Sequence, residues 1–357
     1  AVSGSEIGFA AFDGQQLRID EEIDASGSTL VFGSQTALTT IMGAGDLTRV
    51  TAIPTGQVEM DNRTVNADRA IVYSGEVERK DNAGTVAVWD IYGGTLLRED
   101  EDKQFHGETV NIYAGGTLKD TGDNNNAFAD SSNTATLNLR GGVLELNIDD
   151  DSRYIGGDVT VYTTGSTINA YNKPGDSSDR TVTLDKLAFD TTGLTVNVIR
   201  DGVNSQGTQT VAFASEVAFK DETTLNFGAR SRMELANGYS GGIDDVVNIT
   251  GSTDSSGLEL WSGSATFAGT WNIDGGRVYV GSSEGLGTDD ARAIVGNGGR
   301  LDLWPSNAIN GNTVTIDDGG LVTAGDTNDV FTGGVIVMNG GELRDRTRRV
   351  RRERPVE

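Results

Sequence analysis

The sequence predicts an all-β chain wound as a single elongated parallel β-helix of about 21–23 residues per coil. Three observations carry this expectation. Ten Gly-Gly pairs begin at Gly93, Gly115, Gly141, Gly156, Gly241, Gly275, Gly298, Gly319, Gly333 and Gly340, and nine are followed two residues later by Val, Ile or Leu. The pairs at Gly275, Gly298, Gly319 and Gly340 are 23, 21 and 21 residues apart, a spacing that suits one coil of a solenoid. With 49 glycines, four prolines and 6% aromatics, the composition describes short strands and tight turns. Windows rich in Ala, Glu and Leu at a 3.6-residue period are missing.

Along the chain, the first clear units are Trp89 to Leu97 (WDIYGGTLL), Val110 to Leu118 (VNIYAGGTL) and Leu137 to Leu146 (LNLRGGVLEL). Each is an alternating strand, a glycine turn and a second strand, so one row of side chains faces inward and the other faces solvent. Weaker units without that glycine phrase follow at Val159 to Tyr171, Val182 to Phe189, Leu194 to Ile199, Val211 to Phe219, Leu225 to Leu235 and Val246 to Leu260. The clear pattern returns at Trp271 to Val280, Val295 to Leu303, Val314 to Val322 and Val335 to Leu343. A plain sandwich also has short strands at regular intervals, but it does not account for the repeated Gly-Gly-x-aliphatic phrase.

Residues 1–343 are therefore expected to form one continuous solenoid, irregular to about residue 270 and regular over 271–343, and residues 344–357 an Arg-rich tail. Ile7 to Ile23 and the tail are the candidate end caps. Lys119 to Thr134, Asn172 to Arg180 and Asp201 to Thr208 read as loop excursions, and the middle of the chain, Lys119 to Thr208, is where binding activity is expected.

The formal charge of −25 is unevenly spread. Seven arginines in residues 344–357 stand against Asp345, Glu353 and Glu357, a net +4, which leaves −29 on residues 1–343. Such a body repels nucleic acid and anionic membranes and attracts cations. Cysteine is absent, which excludes thiol chemistry and a disulfide scaffold. No apolar run reaches the roughly 18 residues of a membrane helix, and Ala1-Val2-Ser3-Gly4-Ser5 lacks the features of a leader. The expectation is an exported protein whose signal has been removed.

The segment Phe267 to Leu303 (FAGTWNIDGGRVYVGSSEGLGTDDARAIVGNGGRLDL) resembles the autotransporter-associated β-strand repeat. The match lies in Gly275-Gly276-Arg277-Val278 and in the turn Leu286-Gly287-Thr288, and the Gly-Gly-Thr-Leu phrases at Gly93 and Gly115 echo it. The resemblance implies a right-handed parallel β-helix, secreted or displayed on a bacterial cell surface, as in adhesins and large extracellular structural proteins. It transfers no catalytic residue. The chain departs from the family by ending in an Arg-rich tail rather than in the strands of an outer-membrane barrel. A processed passenger fragment, or use of the repeat without that export route, would explain the difference.

Chemistry is constrained by a single histidine, His106. One histidine rules out multi-histidine zinc sites, and a turn role in Phe-His-Gly-Glu suits it better than that of a triad base. Asp149, Asp150 and Asp151, with Arg153 and Tyr154, are the candidates for a polysaccharide-cleaving β-helix, but sequence proximity does not supply the carboxylate separation that such cleavage needs, and a solvated turn is the simpler reading. Calcium is the one cofactor expectation. Asp120, Asp123, Asn125 and Asp130, with Asn124 and Asn126, gather oxygen ligands in one loop, and Asp326, Asn328 and Asp329 form a smaller group. Neither follows a known calcium spacing, and Asp and Asn cap turns without an ion.

Trp89, Trp261, Trp271 and Trp304, with Tyr92, Tyr113, Tyr162, Tyr171 and Tyr279, could line a sugar-binding face or plug the core. Arg348, Arg349, Arg351 and Arg352 are expected to dock on the acidic body or open end of another copy, favouring end-to-end fibres or arrays. The function read from the sequence is a non-catalytic structural or adhesive surface protein. Its partners would be copies of itself and host-surface or extracellular glycans, without nucleic acid or membrane insertion. A β-helical polysaccharide lyase or depolymerase is the alternative.

Overall fold

The computed structural model describes strand backbones from residue 6 and side chains from residue 69 to residue 345. Excluded are the connections between strands up to residue 64 and residues 73–74, 80–85, 99–104, 106, 123–125, 130–132, 148–152, 172–177, 202–206, 253–254, 263–265, 305–307 and 326–332. The described chain is all-β. Its strands form parallel sheets stacked as a β-solenoid, as the glycine spacing predicts. It divides into two compact units, one of Ala1–Asp185 with Asp201–Gln206 and one of Lys186–Arg200 with Gly207–Glu357.

In the first unit, successive coils feed two long sheets. Val86–Ile91, Thr109–Tyr113, Thr136–Arg140 and Asp158–Thr163 continue the first sheet, and Gly94–Arg98, Gly116–Asp120, Val143–Asn147 and Ser166–Tyr171 the second. A third sheet begins with Arg153–Tyr154 beside Arg180–Leu184. In the second unit, the third sheet is well developed, with Gln209–Phe213, Ser231–Leu235, Gly257–Leu260, Arg277–Val280, Arg300–Leu303, Leu321–Ala324 and Glu342–Asp345 in order.

Alternation decides which side chains meet. In Thr109–Tyr113, Val110 and Ile112 are buried between Trp89 and Ile91 of the preceding coil and Leu137 and Leu139 of the next. On the same strands Asn138 donates its amide to Asn111 (2.8 Å), and Asn111 donates to Asp90 (2.8 Å). The second unit repeats the device, Asn226 donating to Asn197 (2.9 Å) and Asn272 to Asn248 (2.8 Å). Such ladders satisfy side-chain amides between coils and hold the register.

The glycine phrase marks a corner, between the first and second sheets at Gly93, Gly115 and Gly141 in the first unit and between the second and third sheets at Gly275, Gly298, Gly319 and Gly340 in the second. In the second unit Arg277 pairs with Arg300, Arg300 with Leu321 and Leu321 with Glu342, reproducing the 23, 21 and 21 spacing of the glycines. The two glycines of a pair serve different ends. Gly319 has φ +77°, a left-handed conformation that strains any residue with a Cβ. Gly320 passes so close to the coil below that an added methyl group would collide with the Val295 carbonyl oxygen. Backbone cannot swing aside as a side chain can. Gly320→Ala is therefore expected to lower stability by about 1–3 kcal/mol, read as a shift in denaturant midpoint. An unchanged midpoint would contradict this packing.

The core of the first unit also holds ion pairs. Asp120 lies in the inward row of Gly116–Asp120 and receives Arg98 at 2.6 Å and Arg153 at 2.9 Å. Arg153 also donates to the carbonyls of Asn147 and Gly122. Arg79 forms a forked pair with Glu108 (2.7 and 2.9 Å), and Glu108 also accepts from the Trp89 indole N–H at 2.9 Å. All of these charged groups are buried.

Candidate functional site

The four tryptophans divide into two pairs. Trp89 and Trp271 are core residues, each fully buried. Trp89 packs edge-on against Phe105 (6.4 Å), and Trp271 lies against Phe267 (4.3 Å) while donating its indole N–H to the Leu286 carbonyl (2.9 Å). Trp261 and Trp304 are exposed, by 42% and 40%, on the outer face of the third sheet in the second unit. Their exposure follows from the strand period. Leu258-Glu259-Leu260-Trp261 and Leu301-Asp302-Leu303-Trp304 both send their leucines inward and leave the tryptophan outside at the strand end.

Tyr279 stands between them, its ring centroid 5.2 Å from Trp261 and 5.8 Å from Trp304, tilted by 48° and 45°. The register that pairs Leu260 with Val280 and Val280 with Leu303 sets Trp261, Gly281 and Trp304 at successive levels. Gly281 belongs to this arrangement, because a Cβ there would run into the Trp261 ring. Ala324 pairs with Leu303, so Gly325 follows Trp304 at the next level. Tryptophan and glycine therefore alternate along the coils, and Gly281 leaves room for the flat ring of Trp261.

Beside this column runs a row of paired charges. Arg232 holds Glu259 at 2.9 Å, and Arg277 and Arg300 grip the two oxygens of Asp302 at 2.5 and 2.9 Å. Glu259 also accepts from the Trp261 indole at 3.2 Å, which fixes the ring's direction. Gly257 lies between Arg232 and Arg277 in register and leaves a small notch bounded by those arginines, Glu259 and Tyr279. Next to the row, a groove of about 570 Å³ runs over Gly299, Gly320 and Gly341, edged by Arg300 and Arg344.

Glu234 is level with Glu259 on the neighbouring strand. Burial, and then the Glu259 charge, push its carboxyl above the ordinary value of 4.5. A carboxyl whose folded-state pKa is raised favours the fold at low pH, and that contribution is lost as pH rises through the raised value. Glu234→Gln is accordingly expected to raise the melting temperature at neutral pH, with the gain fading as pH falls below 4.5. Thermal melts across that range check it, and a gain that persists in acid would contradict the assignment.

The other sequence candidates are dispersed. Of the calcium loop, Asp120 is turned inward and engaged by Arg98 and Arg153, while Asp123, Asn125 and Asp130 lie outside the described residues, as do Asn124, Asp326, Asn328 and Asp329. Asp149, Asp150, Asp151 and His106 also fall outside them. Arg153 points into the core, and the Tyr154 hydroxyl donates to Asp185, with burial first and that carboxylate second raising the phenol to about 12. Arg348, Arg349, Arg351 and Arg352 lie beyond the described residues. Tyr92 and Tyr113 stack at 4.3 Å in the first unit, and Arg140 lies over Tyr162 at 4.1 Å.

Sequence reasoning named Trp261, Tyr279 and Trp304 but missed Gly281 and the Glu234–Glu259 pair. The signal was present in the shared Leu-x-Leu-Trp phrase, with an acidic residue at x each time. Comparison with known proteins gave no match to a family model, a curated protein or a solved structure.

Proposed function

We propose that the chain is a non-catalytic extracellular surface element, secreted or held on a bacterial cell, that adheres by presenting the outer face of the third sheet in the second unit. The observation that supports this most is the layout of that face. Its aromatic and charged groups repeat coil by coil as a linear array, and Glu259 and Asp302 are already held by arginines. An array of this kind suits an extended partner more than turnover at one point. The resemblance of Phe267 to Leu303 to the autotransporter-associated repeat points the same way, towards a passenger-like adhesin. End-to-end self-association through the Arg-rich tail belongs to the same proposal.

A second reading, a polysaccharide lyase or depolymerase, draws on one observation. Glu234 and Glu259 are directly in register on adjacent strands, an arrangement that brings two carboxyls to one place on the face, as retaining cleavage of a glycosidic bond needs. Glu234, whose carboxyl is pushed up by burial, would be the proton donor and Glu259 the second carboxyl.

Beads coated with the protein and exposed to polysaccharide-bearing surfaces separate the two readings. Adhesion without new reducing ends or unsaturated sugars is expected. Product release that disappears in Glu234→Gln would replace the adhesive reading with the enzymatic one.

A further inference from the structure

We infer that the Trp261–Tyr279–Trp304 column is a binding platform for an uncharged, extended β-linked polysaccharide lying along the direction in which the coils stack. The inference rests on the adhesive reading and names its ligand. Two exposed tryptophan rings with a tyrosine between them offer flat apolar faces, which stack on the C–H faces of sugar rings. Gly281 keeps the space over which the Trp261 ring lies open.

Spacing selects an extended chain. Coils follow one another at about 4.8 Å, close to the length of one sugar in a fully extended β-linked polymer. Tryptophan recurs at every second level because Gly281 and Gly325 occupy the alternate ones. That rhythm fits a chain whose sugars alternate in orientation, with every second unit stacked on an indole and the unit between facing Tyr279.

Charge selects a neutral one. The chain carries −25, yet the row beside the column sets Arg232, Arg277 and Arg300 against Glu234, Glu259 and Asp302, three charges of each sign. The guanidiniums are engaged by carboxylates at 2.5–2.9 Å. A polyuronate or sulfated glycan would have to break those pairs while approaching an acidic body. Sugar hydroxyls can instead donate to the outer lone pairs of Glu259 and accept from guanidinium N–H groups without displacing a charge.

The test is a fluorescence titration of the whole chain with hydroxyethyl cellulose and, separately, polygalacturonate. Trp89 and Trp271 are buried, so a change on binding reports Trp261 and Trp304. Saturable binding of the neutral polymer, insensitive to salt, is expected. Trp261→Ala and Trp304→Ala should each weaken it about tenfold, and the double variant about a hundredfold. Trp261→Phe and Trp304→Phe, which keep a ring, should retain most of the affinity and control for folding, together with an unchanged melting curve. Affinity electrophoresis supplies a second readout for the alanine and phenylalanine variants alike, since each loses a tryptophan fluorophore.

Preference for polygalacturonate that fades with salt would overturn the inference and leave adhesion standing. So would adhesion of coated beads to glycan surfaces that survives in the double alanine variant. Loss of neutral-polymer binding together with an absence of adhesion by the unmodified protein would overturn both the inference and the reading beneath it.

Discussion

Asp120→Ala is expected to destabilise the protein by about 3–5 kcal/mol, the loss that follows when one partner is removed from a buried ionic group. Asp120 is fully enclosed, with Arg98 at 2.6 Å on one oxygen and Arg153 at 2.9 Å on the other. Arg98 belongs to the neighbouring strand of the second sheet, directly in register, and Arg153 opens the third sheet of the same unit. The carboxylate thus ties two sheets while neutralising two guanidiniums. Removing it takes away the anion that both buried guanidiniums share. Asp120→Asn should cost less, because the amide oxygen still accepts one of the two bonds. Lys119→Ala is the comparison at the surface. Its partly exposed pair with Glu145 (2.5 Å) should contribute no more than about 1 kcal/mol. Equilibrium unfolding in denaturant reads all three, and an Asp120→Ala loss no larger than that of Lys119→Ala would contradict the triad. A calcium loop that recruited Asp120 would have to dismantle this group first.

Trp271→Ala is expected to cost a similar amount, about 3–5 kcal/mol. Its indole fills the centre of an aromatic cluster, 4.3 Å from Phe267, 5.5 Å from Phe219 and 5.6 Å from Tyr239. Truncation would open a cavity between these rings and orphan the Leu286 carbonyl that accepts the indole N–H. Trp271→Phe should recover much of the packing but not the hydrogen bond. The neighbouring Tyr239 hydroxyl donates to the Gly285 carbonyl, so the turn Gly285 to Gly287 is pinned from both sides. Loss of near-ultraviolet circular dichroism should accompany the fall in stability. A destabilisation matching that of an exposed tryptophan such as Trp304→Ala would show that the cluster is not a core.

These two side chains also mark what the sequence made legible. Gly275, Gly298, Gly319 and Gly340 announced the coil because each pair meets two backbone demands, a left-handed turn and a close pass over the preceding coil. Alternation was equally informative where it was followed. It sends Leu118 and Asp120 to the same inward row of Gly116–Asp120, whereas the oxygen-rich composition just after that strand suggested a cation site. Which arginines would meet Asp120 was not legible, because Arg98 and Arg153 are 22 and 33 residues away and only the register brings them together.

The candidate site was half legible. The tryptophans and Tyr279 were picked out, but the search for a binding surface was directed to Lys119 to Thr208, where loops interrupt the pattern. The aromatic column proposed as a platform stands outside that stretch, on strands of the third sheet from Gly257–Leu260 to Arg300–Leu303. Regular coils build a platform because an identical offset in successive strands places outward groups in line. Irregular insertions disrupt that alignment. The inward or outward choice of each tryptophan could have been read by counting in twos from the flanking leucines.

The proposed adhesive face would bind a glycan chain and leave it intact. Its most direct test is the chain-length distribution of a neutral β-glucan after prolonged incubation with the protein, measured by size-exclusion chromatography with the protein followed in the same run. The protein is expected to travel with the polymer, and the polymer to keep its original length. A polymer that is shortened, and that stays intact when Glu234 is replaced by glutamine, would contradict it.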